Sequence, residues 1–203
     1  MKTFSIISVS IITILLAVSY IRQLIKKEIQ PALAMWVMFS VAVAMSLITY
    51  LKEGNYGFTD NILNSVDVIY VITVSLAIAI FGEKSSKITR FDLGCLIVVS
   101  LIVVFWLFTQ NHLITNFMIQ TILVIAYFPV VKRLFETRVN TEPFLIWGGM
   151  LIAPVLSLLS SKGFLATVYS VRAIICVGSL LLLMLWIEYS AKKRKVVKEP
   201  KQN

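Results

Sequence analysis

Asp67 and Arg172 are the residues with the clearest chemical potential, because each is an ionisable side chain inside an otherwise apolar stretch of sequence. Charged side chains within membrane segments are costly and usually mark a binding site or an ion pathway. Opposite charges that meet there can pair, which lowers the cost of burying each one. The two residues therefore predict a site for a small polar solute. A structural alternative stays open, in which Arg172 snorkels to the membrane interface and Asp67 begins a solvated helix.

Polar residues accompany both charges at helical spacing. The first stripe is Asn61, Asn64, Asp67 and Tyr70, and the second is Tyr169, Arg172, Cys176 and Ser179. Residues spaced by three and four share one face of a helix. We expect Asn64, Tyr70 and Tyr169 to line the solute site together with the two charges. For Cys176 and Ser179 the favoured interpretation is helix–helix packing.

Two tryptophans and four prolines complete the candidate set. They are Trp36, Trp147, Pro31, Pro129, Pro143 and Pro154. Anchoring at the membrane interface is the default for tryptophans near the end of a span, and contact with a solute is the alternative. Prolines bend helices by removing a hydrogen bond, so all four are candidate hinges. Pro31 and Pro143 fit equally well as ordinary first-turn prolines.

The elements that must position these residues are membrane helices. The chain has 203 residues, of which 59% are hydrophobic and 14% are charged. Soluble domains have about 45–50% apolar and about 25% charged residues, so the composition excludes a water-soluble enzyme. Disorder is excluded as well, because it requires few apolar residues.

Apolar stretches make up most of the chain. Those long enough to approach the roughly 20 residues of a spanning helix are residues 4–21, 32–51, 62–81, 91–108, 113–131, 143–159 and 164–189. Lipid offers no partner for free backbone groups, so such stretches must be helical. The predicted fold class is an all-α membrane protein with seven transmembrane helices. Of the 19 Lys and Arg residues, 15 fall on one side of these segments, which predicts an outside N-terminus and a cytoplasmic C-terminus.

The first three stretches resemble the last three. A basic loop, a Pro–Trp pair, a Ser-Leu pair and a lysine recur in the same order, at an offset of roughly 110 residues. Asp67 then aligns with Arg172 in the equivalent helix. We therefore expect two parallel three-helix repeats around a single linker helix. The predicted units are repeat 1 (1–83), the linker (84–109), repeat 2 (110–189) and a basic, disordered cytoplasmic tail (190–203).

This three-plus-one-plus-three layout resembles the SWEET sugar transporters and the wider PQ-loop superfamily. Further stretches resemble a group of bacterial membrane proteins of the same layout: Pro31…Trp36, Phe91-Asp92…Cys95, Trp106…Thr109 and Thr141-Glu142-Pro143. The resemblance implies alternating access around a central pocket, lined here by Asp67 and Arg172 where the family usually has Asn. It also implies prolines near four helix ends. Pro31, Pro129 and Pro143 fill three of these places, and Tyr20 stands at the fourth.

The sequence thus predicts a multi-pass carrier of a small polar solute in the cell membrane, most simply a bacterial plasma membrane. It has no Gly-x-x-x-x-Gly-Lys loop for ATP and no His-Glu-x-x-His motif, and its single histidine is His112. We expect no enzymatic activity, no cofactor, no metal and no nucleic-acid partner. The expected partners are the lipid bilayer and the solute, and a homo-oligomer is compatible with the sequence. The alternative function is a non-transporting heptahelical sensor or scaffold.

Overall fold

A computed structural model of the chain describes residues 1–29, 31, 33–82, 90–140 and 142–198. Several predicted features fall outside the described residues. They are Ala32 at the start of the second span, the loop lysines Lys84 and Lys87, Thr141, and the end of the tail at 199–203.

Every regular element within the described ranges is a helix. These are α1 (Lys2–Ile25), α2 (Leu33–Glu53), a short 3-10 helix (Phe58–Asn61), α3 (Ile62–Phe81), α4 (Arg90–Thr109), α5 (His112–Ile125), α6 (Phe128–Thr137), α7 (Phe144–Ser157) and α8 (Phe164–Lys198). In the part of the chain that the structure describes, five stretches are long and apolar enough to cross a membrane: Lys2–Ile25, Met35–Glu53, Phe58–Phe81, His112–Thr137 and Phe164–Lys192. Two apolar helices are shorter, Leu93–Thr109 and Phe144–Ser157. The all-helical fold and its long apolar helices therefore fit a membrane protein.

The fifth predicted span, 113–131, is divided in the structure. The helix α5 ends at Ile125, and α6 begins at Phe128 with Pro129 in its first turn. Proline lacks a backbone N–H, so no helical hydrogen bond can run from Pro129 to the carbonyl of Ile125, four positions earlier. The proline is well placed in a first turn, where its N–H would have no partner in any case. Pro129 therefore ends one helix and begins another.

The last helix continues beyond the predicted boundary at Tyr189. The structure has α8 running to Lys198, through the first part of the segment for which the sequence predicts a disordered tail. Alanine, lysine and arginine are strong helix formers, and the next proline is Pro200. The helix therefore continues beyond the end of the apolar segment.

Helix packing follows the same pattern in the two halves of the chain. In the first half, α3 packs against both α1 and α2. In the second half, α8 packs against α7 and against α5 and α6. The main contacts between the halves are those of α1 with α7 and of α2 with α5, and smaller contacts join α3 to α7 and to α8. The helix α4 packs against α2 and α5. The faces of α3 and α8 consequently meet near the middle of the bundle.

The main apolar core draws on both halves. Its buried members include Val9, Met38, Val74, Val99, Ile119, Ala153 and Tyr169. These side chains come from every long helix described above except α6. The polar residues that the sequence singles out on α3 and α8 therefore have to be held within apolar surroundings.

Polar contacts close one end of the bundle. Lys2 forms a 2.6 Å ion pair with Asp60 in the 3-10 helix. The Asp60 carbonyl accepts a 2.8 Å hydrogen bond from the Lys162 backbone N–H, and the Tyr50 hydroxyl donates to the Lys162 carbonyl at 2.9 Å. The end of α2, the start of α1 and the α7–α8 connection are thus held together. We call this the Lys2 end.

Candidate functional site

Tyr169 lies between the two charges that the sequence singles out. Its hydroxyl donates a 2.8 Å hydrogen bond to Asp67 Oδ2. The guanidinium carbon of Arg172 lies 4.7 Å from the centre of the Tyr169 ring. Asp67 and Arg172 are close enough to interact electrostatically, but among the described residues no direct ion pair joins them. One buried tyrosine therefore links α3 to α8 and separates the carboxylate from the guanidinium.

Arg172 is the start of a second set of polar contacts. Its Nε donates a 3.1 Å hydrogen bond to Gln120 Oε1 on α5. Gln120 Nε2 in turn donates to Ser46 Oγ on α2 at 2.9 Å and to Asn116 Oδ1 at 3.2 Å. Asn116 Nδ2 donates to Thr49 Oγ1 and to the Ser46 carbonyl, each at 2.9 Å. A continuous polar path thus runs from α8 through α5 to α2.

Four residues of this path are not among the site residues predicted from the sequence: Asn116, Gln120, Ser46 and Thr49. All four are buried. Their signal in the sequence is helical spacing, because Asn116 and Gln120 are four residues apart and Ser46 and Thr49 are three apart. A polar stripe within an apolar segment indicates a face that packs against other helices rather than lipid. The same reasoning that selects the stripe around Asp67 would therefore have found them.

Asn64 and Tyr70 lie on the same helix as Asp67 and have different surroundings. Asn64 Nδ2 donates a 3.1 Å hydrogen bond to the Val43 carbonyl, which ties α3 to α2. The hydroxyl of Tyr70 is buried and has no hydrogen-bond partner in the part of the chain that the structure describes. Asn64 is therefore engaged in helix packing through Nδ2, but its Oδ1 is buried without a partner in those same residues, as is the Tyr70 hydroxyl.

Trp36 lies in the interior, although the default expectation from the sequence is an interfacial anchor. It is only 7% exposed, and its ring packs against those of Tyr20, Phe39 and Tyr70, with centroids 5.0, 6.1 and 5.9 Å away. Its Nε1 is buried without an acceptor among the described residues. Its predicted counterpart Trp147 is half-buried. The two tryptophans therefore differ in environment.

Trp147 makes one polar contact and one aromatic contact. Its Nε1 donates a 3.0 Å hydrogen bond to Glu142 Oε2. Its ring lies 6.1 Å from that of Tyr127, at the junction of α5 and α6. This tryptophan thus fixes the start of α7 against the preceding helix.

The four prolines occupy different positions in their helices. Pro31 precedes α2, and Pro143 is the residue that caps the start of α7. Pro129 lies in the first turn of α6. Pro154 is inside α7, where it removes a backbone hydrogen bond. Of the predicted hinges, Pro154 alone interrupts the interior of a described helix.

Comparison with known proteins identifies no relative: no protein-family model, no curated protein and no solved structure matches this chain. Within the described ranges, no three His, Cys, Asp or Glu side chains lie together as they would around a metal ion. The groups that the site presents are charges, hydroxyls and amides. These groups can bind a polar solute through charge and hydrogen bonding.

Proposed function

We propose that the chain is an integral membrane carrier that moves a small polar solute by alternating access between two three-helix bundles. The observation that carries this proposal is the arrangement of Asp67, Tyr169 and Arg172. A carboxylate and a guanidinium lie on α3 and α8, the helices that meet at the centre of the bundle. Ionisable groups inside membrane proteins usually serve substrate or ion pathways.

The packing of the two halves supports two parallel repeats. The third helix of the first half lies against its other two helices, and α8 does the same in the second half. The contacts between halves are reciprocal, because α1 meets α7 and α2 meets α5. A twofold axis along the membrane normal would exchange these two contacts. This arrangement favours the likeness to SWEET-like and PQ-loop proteins and the proposal that α4 is the linker.

The polar contacts at the Lys2 end support a mechanism with two alternating openings. The basic loops place this end outside the cell in our proposal, with the C-terminus in the cytoplasm. In this state the outer end is held shut by the Lys2–Asp60 ion pair and the hydrogen bonds to Lys162. Rocking of the halves would break these contacts and expose the site to the outside. The chain carries no ATP-binding loop, so transport would be downhill or ion-coupled.

The test is solute release from liposomes that contain the purified chain. We expect Asp67→Asn and Arg172→Gln each to slow release of the transported solute ten-fold or more while the protein keeps its helical content and its monodisperse elution. Lys52→Gln is the matched control, because Lys52 is an exposed charge at the end of α2. Release at the wild-type rate in both site variants, or no release of any polar solute by the folded wild type, would contradict the proposal.

A second candidate function is a non-transporting scaffold, and the path from Arg172 to Thr49 favours it. The bonds of that path tie three helices together, as polar residues do in many static membrane bundles. On that view Arg172→Gln lowers the free energy of unfolding and has no other effect. The carrier requires loss of release in variants that remain folded at the assay temperature, so measuring both quantities separates the two functions.

A further inference from the structure

The two central charges are only partly compensated within the protein. A carboxylate can accept about four hydrogen bonds and a guanidinium can donate five. In the described ranges Asp67 accepts one, from Tyr169, and Arg172 donates one, to Gln120. Asp67 and Arg172 are each partly buried, and charges withdrawn from water are costly unless they are paired and their remaining hydrogen-bonding capacity is met. The site therefore still has a negative and a positive charge, together with unused hydrogen-bond acceptors and donors, that a ligand can contact.

The geometry keeps these two charges from forming a direct ion pair with one another. The Tyr169 ring lies against the Arg172 guanidinium, and its hydroxyl binds the carboxylate. Tyr169 is 1% exposed and belongs to the main core, so packing fixes its position. The face of the guanidinium against the ring is occupied, and its two terminal NH₂ groups remain as a fork for a planar anion.

A ligand that compensates each of the two charges locally, and adds no net charge, must itself carry both. An uncharged solute leaves the carboxylate and the guanidinium uncompensated. A simple cation or anion compensates one of them and leaves the other, so the occupied site has a net charge inside the membrane. A solute with an ammonium and a carboxylate compensates both, and the occupied site is neutral overall.

From this we infer that the solute is a small zwitterion, whose ammonium group lies against Asp67 and whose carboxylate lies against Arg172. Two buried polar atoms without a partner in the described ranges lie one helical turn from Asp67 on α3: Asn64 Oδ1 and the Tyr70 hydroxyl. The ring of Trp36 packs on that of Tyr70. The two polar atoms provide hydrogen bonds for a further polar group of the solute, and the aromatic rings contact its apolar part. The inference rests on the proposed carrier function and narrows its substrate to one chemical class.

The experiment compares solutes that differ only in these charges. Liposomes containing the full chain are loaded with L-alanine, L-alaninamide, L-lactate and glucose, and with 4-aminobutyrate to allow for a larger separation of the charges. Release is measured by mass spectrometry. We expect at least one zwitterion to be released ten-fold or more faster than alaninamide, lactate and glucose. Lys52→Gln is expected to leave these ratios unchanged.

Variants that remove one charge of the site show which residue contacts the ammonium of the solute and which contacts its carboxylate. Asp67→Asn removes the partner of the ammonium, so the preference for the zwitterion over lactate should fall ten-fold or more. Arg172→Gln removes the partner of the carboxylate, so the preference over alaninamide should fall similarly. A structural role for either residue would lower all rates together and leave the ratios intact.

The outcomes also separate this inference from the proposed function. If glucose is released as fast as the zwitterions, the chain is a carrier and the inference about its solute is wrong. If zwitterions are preferred but the ratios do not change in either charge variant, the site is elsewhere and the inference is wrong again. If the folded wild type releases none of the solutes, the carrier proposal fails and the inference with it.

Discussion

The hydrogen bond between Tyr169 and Asp67 gives the most quantitative prediction. Tyr169→Phe removes the hydroxyl that lies 2.8 Å from Asp67 Oδ2 and keeps the ring against Arg172. Asp67→Ala removes the acceptor. Combining the two changes in a double-mutant cycle isolates the interaction from the other consequences of each substitution.

The expected size of the coupling depends on the charge of the acceptor. Neutral side-chain hydrogen bonds between membrane helices average about 0.6 kcal/mol and reach about 1.7 kcal/mol. Hydrogen bonds to charged groups contribute about 1.5–3 kcal/mol. Tyr169 is 1% exposed, so water competes little for its hydroxyl. We therefore expect a coupling free energy of about 1.5–2 kcal/mol.

The assay is reversible unfolding in lipid–detergent micelles titrated with dodecyl sulfate, followed by circular dichroism. The neutral pair Ser40 and Ser75 serves as an internal control, because their hydroxyls lie 3.0 Å apart between α2 and α3. A cycle of Ser40→Ala and Ser75→Ala should give about 0.6 kcal/mol. If the Tyr169–Asp67 coupling does not exceed that of the serines, the tyrosine does not hold a charged acceptor and the reasoning is refuted.

Three further variants test other contacts. Asn116→Leu removes two buried hydrogen bonds to α2, so the free energy of unfolding should fall by about 1–3 kcal/mol in the same titration; no change would mean that this path does not join the helices. Gly163→Ala should lower it by about 1–2 kcal/mol, because Gly163 has φ +83° and an added Cβ would lie 2.6 Å from Tyr56 Oη. Lys2→Ala should change it by less than about 1 kcal/mol, since the Lys2 side chain is 52% exposed in its pair with Asp60; a larger loss in thermal melts would contradict this estimate.

The apolar stretches predict the helices well because length and hydropathy are local properties of the sequence. The division at Ile125 is also local in origin, since it follows from Pro129, but a proline within an apolar stretch is compatible with a bend, a break or a new first turn. Only the packing around α5 and α6 selects among them. The continuation of α8 to Lys198 likewise depends on helix propensity beyond the apolar segment.

The site is harder to predict from the sequence because it depends on how each helix is rotated about its axis. Spacing places Asp67 and Arg172 on particular faces of their own helices. It does not place Tyr169 between them, nor Gln120 against Arg172, because those contacts require the rotation of α3, α5 and α8 relative to one another. Trp36 shows the same limit: its distance from the helix end favours the interface, while the rotation of α2 turns it into the core.

The polar path between α2 and α5 would affect the rate at which a carrier returns empty across the membrane. Asn116 and Gln120 on one half are bonded to Ser46 and Thr49 on the other, and Tyr169 on one half is bonded to Asp67 on the other. In the proposed cycle the halves part at these bonds, and a bound solute supplies substitutes at Asp67 and Arg172 that the empty protein lacks. The return of the unloaded protein would then be the slow step, and solute on the far side would accelerate the cycle. A carrier of the proposed kind would exchange solutes across the membrane faster than it accumulates them.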